Sequence, residues 1–148
     1  MADLRVEQVA FGDAGFAACF AIRVEVFVHE QNVPPEEERD EFDETALHFL
    51  AFDGPMPVAT ARVLLKAGGV AKITRVAVKK SSRGLGVGVA LMRHIEQAVP
   101  AAEYRLDAQT QARRFYEMLG YRPEGEEFME AGIPHFHMRK TGQKLIVR

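Results

Sequence analysis

The chain reads as an α/β (α+β) domain of three layers, with helices flanking a mixed, largely antiparallel sheet. Three observations point there. Residues 71–78 form a strand-like run that passes through a glycine cluster into an apolar helical pattern, and a second strand follows at residues 104–107. A strand–helix–strand unit of this length crosses over in parallel. Ahead of it, residues 46–52 and 58–66 alternate around Asp53-Gly54-Pro55, the pattern of an antiparallel hairpin.

The elements follow in order. Residues 4–10 read as a first strand. Asp13 is a plausible N-cap for a helix to about Val28, with Phe16, Phe20, Val24 and Phe27 along one stripe. Cys19 lies beside that stripe, where a buried, inert thiol is expected. Pro34-Pro35 and the acids after them break the helix into a loop. After the hairpin, Gly68-Gly69 turns the chain into the strand at residues 71–78. The next helix carries Val89, Leu91, Met92, Ile95 and Val99 on its apolar side. A further helix places Ala112, Phe115, Tyr116 and Leu119 at i, i+3, i+4, i+7 and stops at Gly120, suited to a left-handed C-cap. Strands near residues 121–129 and 134–140 complete the chain.

Length and composition bound the rest. At 148 residues and 47% hydrophobic, the chain is expected to form one globular domain, residues 1–148. No charge-free run exceeds nine residues, against the ~20 needed to span a bilayer. The start lacks the apolar core of a secretory signal, and one cysteine allows no internal disulfide. A cytoplasmic enzyme is the resulting expectation. A net charge of −2 with no basic tail argues against general nucleic-acid binding.

The segment Arg83-Gly84-Leu85-Gly86-Val87-Gly88 carries the most chemistry. Three glycines in five residues at the mouth of a helix leave backbone N–H groups uncovered, where the helix dipole favours an anion. A nucleoside-triphosphate loop would need Gly-Lys-Ser/Thr after its last glycine, but Gly88 is followed by Val89 and Ala90. A dinucleotide fold wants G-x-G-x-x-G tight against its strand; here the spacing is G-x-G-x-G and the strand ends several residues earlier.

Arg83-x-x-Gly86-x-Gly88 resembles instead R/Q-x-x-G-x-G/A, the pyrophosphate loop of the GCN5-related N-acetyltransferases (GNAT superfamily). Ala112-x-x-Phe115-Tyr116-x-x-x-Gly120-Tyr121 is similar to a second core motif of that family. Arg23-x-x-Val26-Phe27-Val28-x-Glu30-Gln31-x-Val33-Pro34-x-Glu36-x-Glu38-x-Asp40-x-x-Asp43, then Ala46-x-His48 and Gly132-Ile133-Pro134-His135-x-x-Met138, resembles the ElaA-like, or YjcF-like, branch. These matches span roughly residues 20 to 140.

The resemblance implies acetyl-CoA as cofactor and an N-acetyltransferase acting on a small-molecule or peptide amine by direct attack. It implies a splayed parallel strand pair at the cofactor site. Val76, Ala77 and Val78 would meet the pantetheine, and Arg83, Gly84, Leu85, Gly86, Val87 and Gly88 the pyrophosphate. Gln109 stands where the family often has a CoA-touching asparagine, with Phe115 nearby, and Tyr116 would serve the departing thiolate. Arg23, Phe27, Gln31, Asp40, Asp43, Arg75 and His135 are candidates for the acceptor side.

For the base, Glu30, Asp40, Asp43 and His48 are open alternatives, with Glu30 (directly or through water) and His48 as leading candidates. Seven acids in residues 36–44 would draw a cationic amine, and Arg75 could pair with one of them. His135-x-His137 is the one metal-like spacing, without a third ligand, so no metal is expected. A homodimer is compatible with the reading. Two other functions stay in view: a non-catalytic acyl-CoA-binding module, and an acyl-homoserine-lactone-synthase-like enzyme, suggested by Arg23-x-x-Val26-Phe27 with Asp40-x-x-Asp43 although the chain has no Trp.

Overall fold

A computed structural model describes residues 3–143. Seven strands form one sheet in the order β1-β2-β3-β4-β5-β7-β6. They are β1 (Leu4–Val9), β2 (Leu47–Asp53), β3 (Met56–Lys66), β4 (Val70–Val78), β5 (Glu103–Gln109), β6 (Arg122–Glu130) and β7 (Ile133–Thr141). Every neighbouring pair is antiparallel except β4 and β5. The expected fold class, with its parallel pair inside a largely antiparallel sheet, is therefore the observed one.

Helices cover both faces. α1 (Ala14–Arg23) and α3 (Val87–Ala98) pack on opposite sides of the sheet. The alternation of a strand divides the apolar residues between them: Phe49 and Ala51 of β2 join Leu91, Met92 and Ile95 under α3. Leu50, between them in sequence, joins Cys19, Ile22 and Val26 under α1. Central β3 is buried on both faces along Val58–Val63, as a strand between two helical layers must be.

Three details depart from the sequence reading. The first helix does not run as one α-helix to Val28. It changes at Val24 into a π-helical segment, Val24–Glu30, whose wider turn moves the buried positions. Cys19, Ile22, Arg23 and Val26 go inward, while Phe20, Val24 and Phe27 are only partly covered. The acidic stretch is not a plain loop but two short turns, α2 (Pro35–Glu38) and a 3-10 turn, Glu41–Glu44, closed by an Asp40–Asp43 capping box. In α3 the core takes Val87 rather than Val89, which faces a cavity. Cys19 is a buried free thiol, as expected, with Sγ 3.6 Å from the Phe49 carbonyl.

Candidate active site

The parallel ladder joins β4 to β5 only over Val70–Ile73 and Glu103–Leu106. Beyond Ile73 the two strands part, and the β5-facing edge of β4 from Thr74 to Val78 has no strand partner among the described residues. Arg75 stands at the parting point with φ +52, and the β3–β4 register slips there between Thr60 and Arg62. A left-handed arginine in a strand marks a bulge held against its own preference. The gap opens into a cavity of about 970 Å³.

One end of this cavity is the glycine turn. Gly84 (φ +79) and Gly86 (φ +82) adopt conformations that other residues rarely take, and a Cβ at either would project into open space. Gly86 is the N-cap of α3, and no side chain caps the helix. Its first-turn N–H groups therefore point unclaimed toward the cavity, the arrangement that binds anions. At Gly88 an added Cβ would sit 3.0 Å from Phe115 Cζ, so the glycine lets the helix and the aromatic ring approach. Val76, Ala77, Val78, Arg83, Val87 and Phe115 all stand on the same wall. Leu85 is exposed and points away from it.

Tyr116 lies on α4 (Arg113–Met118), entered through a 3-10 turn, Thr110–Ala112, and closed by Gly120 at φ +99 with a Tyr121 N–H bond back to the Tyr116 carbonyl. The ring is 8% exposed and edge-packed on Phe115 and Tyr121. Its hydroxyl has no protein partner among the described residues, and no fully buried polar side-chain atom there lacks one. The oxygen must therefore surface in the cavity it lines. Burial pushes the phenol's pKa above its usual value.

The acceptor side is built on the opposite face of β5 and β7. Asp107 and Gln109 of β5 pair in register with His137 and His135 of β7. Gln109 exchanges hydrogen bonds with Gln31 (2.8 and 3.2 Å) and accepts one from Gln111 (2.6 Å). The amide pair ties the end of the π-helical segment to β5 across the slot. Phe27, Gln31, Asp40, Arg75 and His135 also line the cavity. His135 is 8% exposed, Nδ1 donates to the Ile133 carbonyl at 2.7 Å, and the ring stacks on Phe128. His137 donates instead to Asp107 (2.6 Å), whose other oxygen faces Lys72 (3.5 Å). Among the described residues no group of three or more His, Cys, Asp or Glu is arranged for a metal.

Three of the sequence candidates lie elsewhere. Arg23, Asp43 and His48, each 1% exposed, are off the cavity wall. Arg23 donates to the Glu38 carboxylate (2.5 Å) and carbonyl (2.9 Å) and to both oxygens of Asp43 (2.9 and 3.2 Å). Arg62 bonds Asp40 (2.6 Å) and Asp43 (3.0 Å), and Arg75 bonds Asp40 (3.3 Å) and faces Glu38 (3.2 Å). Three cations thus face three anions. Burial by itself would raise the Asp43 carboxyl, but Arg23 and then Arg62 hold it down at about 2. His48 donates Nε2–H to the Asp43 carbonyl (2.7 Å), packs on Phe16, and is pushed toward its neutral form by burial. These are structural groups behind the site, and the inward acids of the 36–44 run are largely neutralised.

Glu30 does reach the cavity, but its carboxylate makes a two-point pair with Arg83 (2.6 and 2.7 Å), whose hydrogen bonding holds its pKa below the usual range. Sequence reasoning missed Glu38, Arg62 and Asp107. Arg62 carried a signal: a lone charge amid the apolar run of β3 must have a buried partner.

The comparisons with known proteins agree with this geometry. The family described as acetyltransferase (GNAT) domain matches residues 4–142. Over 125 residues the chain is 46% identical to the N-acetyltransferase YjcF of Bacillus subtilis, covering 82% of this chain and 89% of that one. Escherichia coli ElaA has the same fold with TM-score 0.82 and 29% identity, over 93% of this chain and 99% of that one. An acyl-CoA N-acyltransferase from Pseudomonas aeruginosa gives TM-score 0.80 and 28% identity, over 94% and 100%. No helix among the described residues is long and apolar enough to cross a membrane. The chain belongs to the GNAT acetyltransferase family and is an acyl-CoA-dependent N-acetyltransferase.

Proposed function

We propose that the cavity carries an acetyl group from acetyl-CoA to a primary amine of a small molecule or peptide, by direct attack with both substrates bound. One observation carries the reading: the uncapped first turn of α3 and the partnerless edge of β4 open into one cavity with the Tyr116 hydroxyl. The empty space over Gly84 and Gly86 fits a diphosphate, which the amides of residues 85–89 and the Arg83 guanidinium would hold. The chain's contribution is then positioning and polarity. Main-chain groups of Thr74–Val78 orient the acyl arm as a further strand would be oriented. One backbone donor aimed at a developing oxyanion is worth ~2.7–4 kcal/mol of barrier.

Tyr116 serves the sulfur by hydrogen bonding. Its pKa, raised by burial, lies far above that of a thiol (about 8.5), so complete proton transfer to a thiolate is uphill while donation is not. Glu37, Asp40 and Glu130 on the wall favour a cationic acceptor. A cytoplasmic setting accords with the free, buried Cys19. The comparisons favour neither a lactone-synthase-like enzyme nor a non-catalytic module. The test is thiol release from acetyl-CoA across a panel of polyamines, amino sugars, arylalkylamines and peptides, with calorimetry for binding. No heat signal at millimolar acetyl-CoA would end the reading.

A further inference from the structure

We propose that His135 is the general base, taking the acceptor amine's proton on Nε2; the inference rests on the acetyl-transfer reading above. Three observations carry it. The Ile133 carbonyl can only accept, so Nδ1 of His135 must be the protonated nitrogen at 2.7 Å, leaving the lone pair on Nε2. Nε2 has no protein partner among the described residues, where no fully buried polar side-chain atom is unsatisfied, so it opens into the cavity that His135 lines. The stack on Phe128 and 8% exposure hold the ring in one orientation.

The alternatives are occupied. Glu30 is clasped by Arg83, Asp40 by Arg62 and Arg75, and Asp107 by His137 and Lys72. His48 lies behind the sheet with Asp43. The groups around the imidazole are Gln109 on β5 with Asp107 two residues before it, Phe128 on β6 with Glu130 at the hairpin, His137 on β7, and Gln31 over Gln109.

The step balances. An ammonium gives one proton to Nε2 and becomes a neutral amine, whose lone pair forms the C–N bond at the thioester carbon. The C–S bond breaks, its electron pair leaves on sulfur, and the second amine proton goes to that sulfur. His135 then returns its proton to water. The net reaction releases the amide, a free thiol and H⁺.

His135→Asn tests this, because an asparagine amide can still donate to the Ile133 carbonyl while offering no base. With the best acceptor of the amine panel, wild type should lose kcat/KM as pH falls through the histidine range of about 5–8. The variant should turn over ~10²-fold or more slowly at pH 7 and lack that limb. Its acetyl-CoA affinity by calorimetry should stay within about two-fold, since His135 is not in the cradle. A variant that keeps the wild-type rate and limb overturns the assignment and leaves the acetyltransferase reading intact. Wild type inert toward every amine overturns both. Should the variant fail to fold, nitrogen NMR of wild-type His135 decides: a lone pair on Nε2 supports the base, and a proton there overturns it.

Discussion

Arg23→Met tests the ion network with a magnitude that the contacts themselves set. The substitution keeps an unbranched chain of similar reach and removes four hydrogen bonds, three of them to carboxylate oxygens. Breaking a buried pair from one side costs about 3–5 kcal/mol because the remaining charge is stranded. Here Asp43 keeps Arg62 at 3.0 Å and Glu38 keeps Arg75 at 3.2 Å, which places the loss at the low end, about 3 kcal/mol. For a chain of this length that is roughly 6–12 °C in Tm. With a slope near ~2 kcal/mol/M, the urea midpoint falls by about 1.5 M. Urea unfolding at pH 7 is the assay. Arg23→Lys should fall between the two, because an ammonium cannot span Glu38 and Asp43 as a planar fork does. Adding Asp43→Asn to Arg23→Met should cost less than the sum of the two single changes. A variant within about 1 kcal/mol of wild type would refute the view that this network holds the acidic turns to the sheet.

Asp43 sets the acid side of stability. Its carboxyl is held at about 2 in the fold against 3.8 as its ordinary value, so its contribution is complete above about pH 4 and drains away as pH falls toward 2; acid titration of the urea midpoint should show that loss shrink in Asp43→Asn. Glu30→Gln releases Arg83 from a half-exposed pair worth at most ~1 kcal/mol, so acetyl-CoA should bind up to about five-fold tighter by calorimetry. Weaker binding would mean that the pair assembles the site rather than competing with the diphosphate. Tyr116→Phe should lower kcat about 10²-fold with cofactor affinity nearly unchanged, and full retention of turnover would remove the hydroxyl from catalysis. Gly86→Asp should abolish acetyl-CoA binding, because its carboxylate enters the space where the diphosphate is expected; normal binding would disprove the cradle.

Much of the architecture was legible because it is local. Alternation marked the β2–β3 hairpin, and Gly120 marked the end of α4 by the φ it requires. The Gly84–Gly88 cradle was readable for the same reason: its chemistry lies in consecutive amides. What stayed hidden depends on long-range meeting. The π-helical turn from Val24 has no signature in apolar spacing, and one changed turn moved Arg23 from the expected acceptor site into the interior. The Arg83–Glu30 pair joins residues 53 apart in sequence, and the Arg75–Asp40 pair residues 35 apart. His48 and His135 look alike as isolated histidines in strand-like runs. Only the fold turns one toward the Asp43 carbonyl behind the sheet and opens the other to the cavity.

The short seam between β4 and β5 has a mechanical consequence. Four residue pairs hold together a meander ending at Val78 and a hairpin-backed plate beginning at Glu103. A sheet so lightly stitched at its middle behaves as two stiff plates on a narrow hinge, and its softest coordinate is the angle between them. Acyl groups of different bulk would be admitted or refused by that angle, with the glycine turn and the Gln31–Gln109 clasp setting its limits.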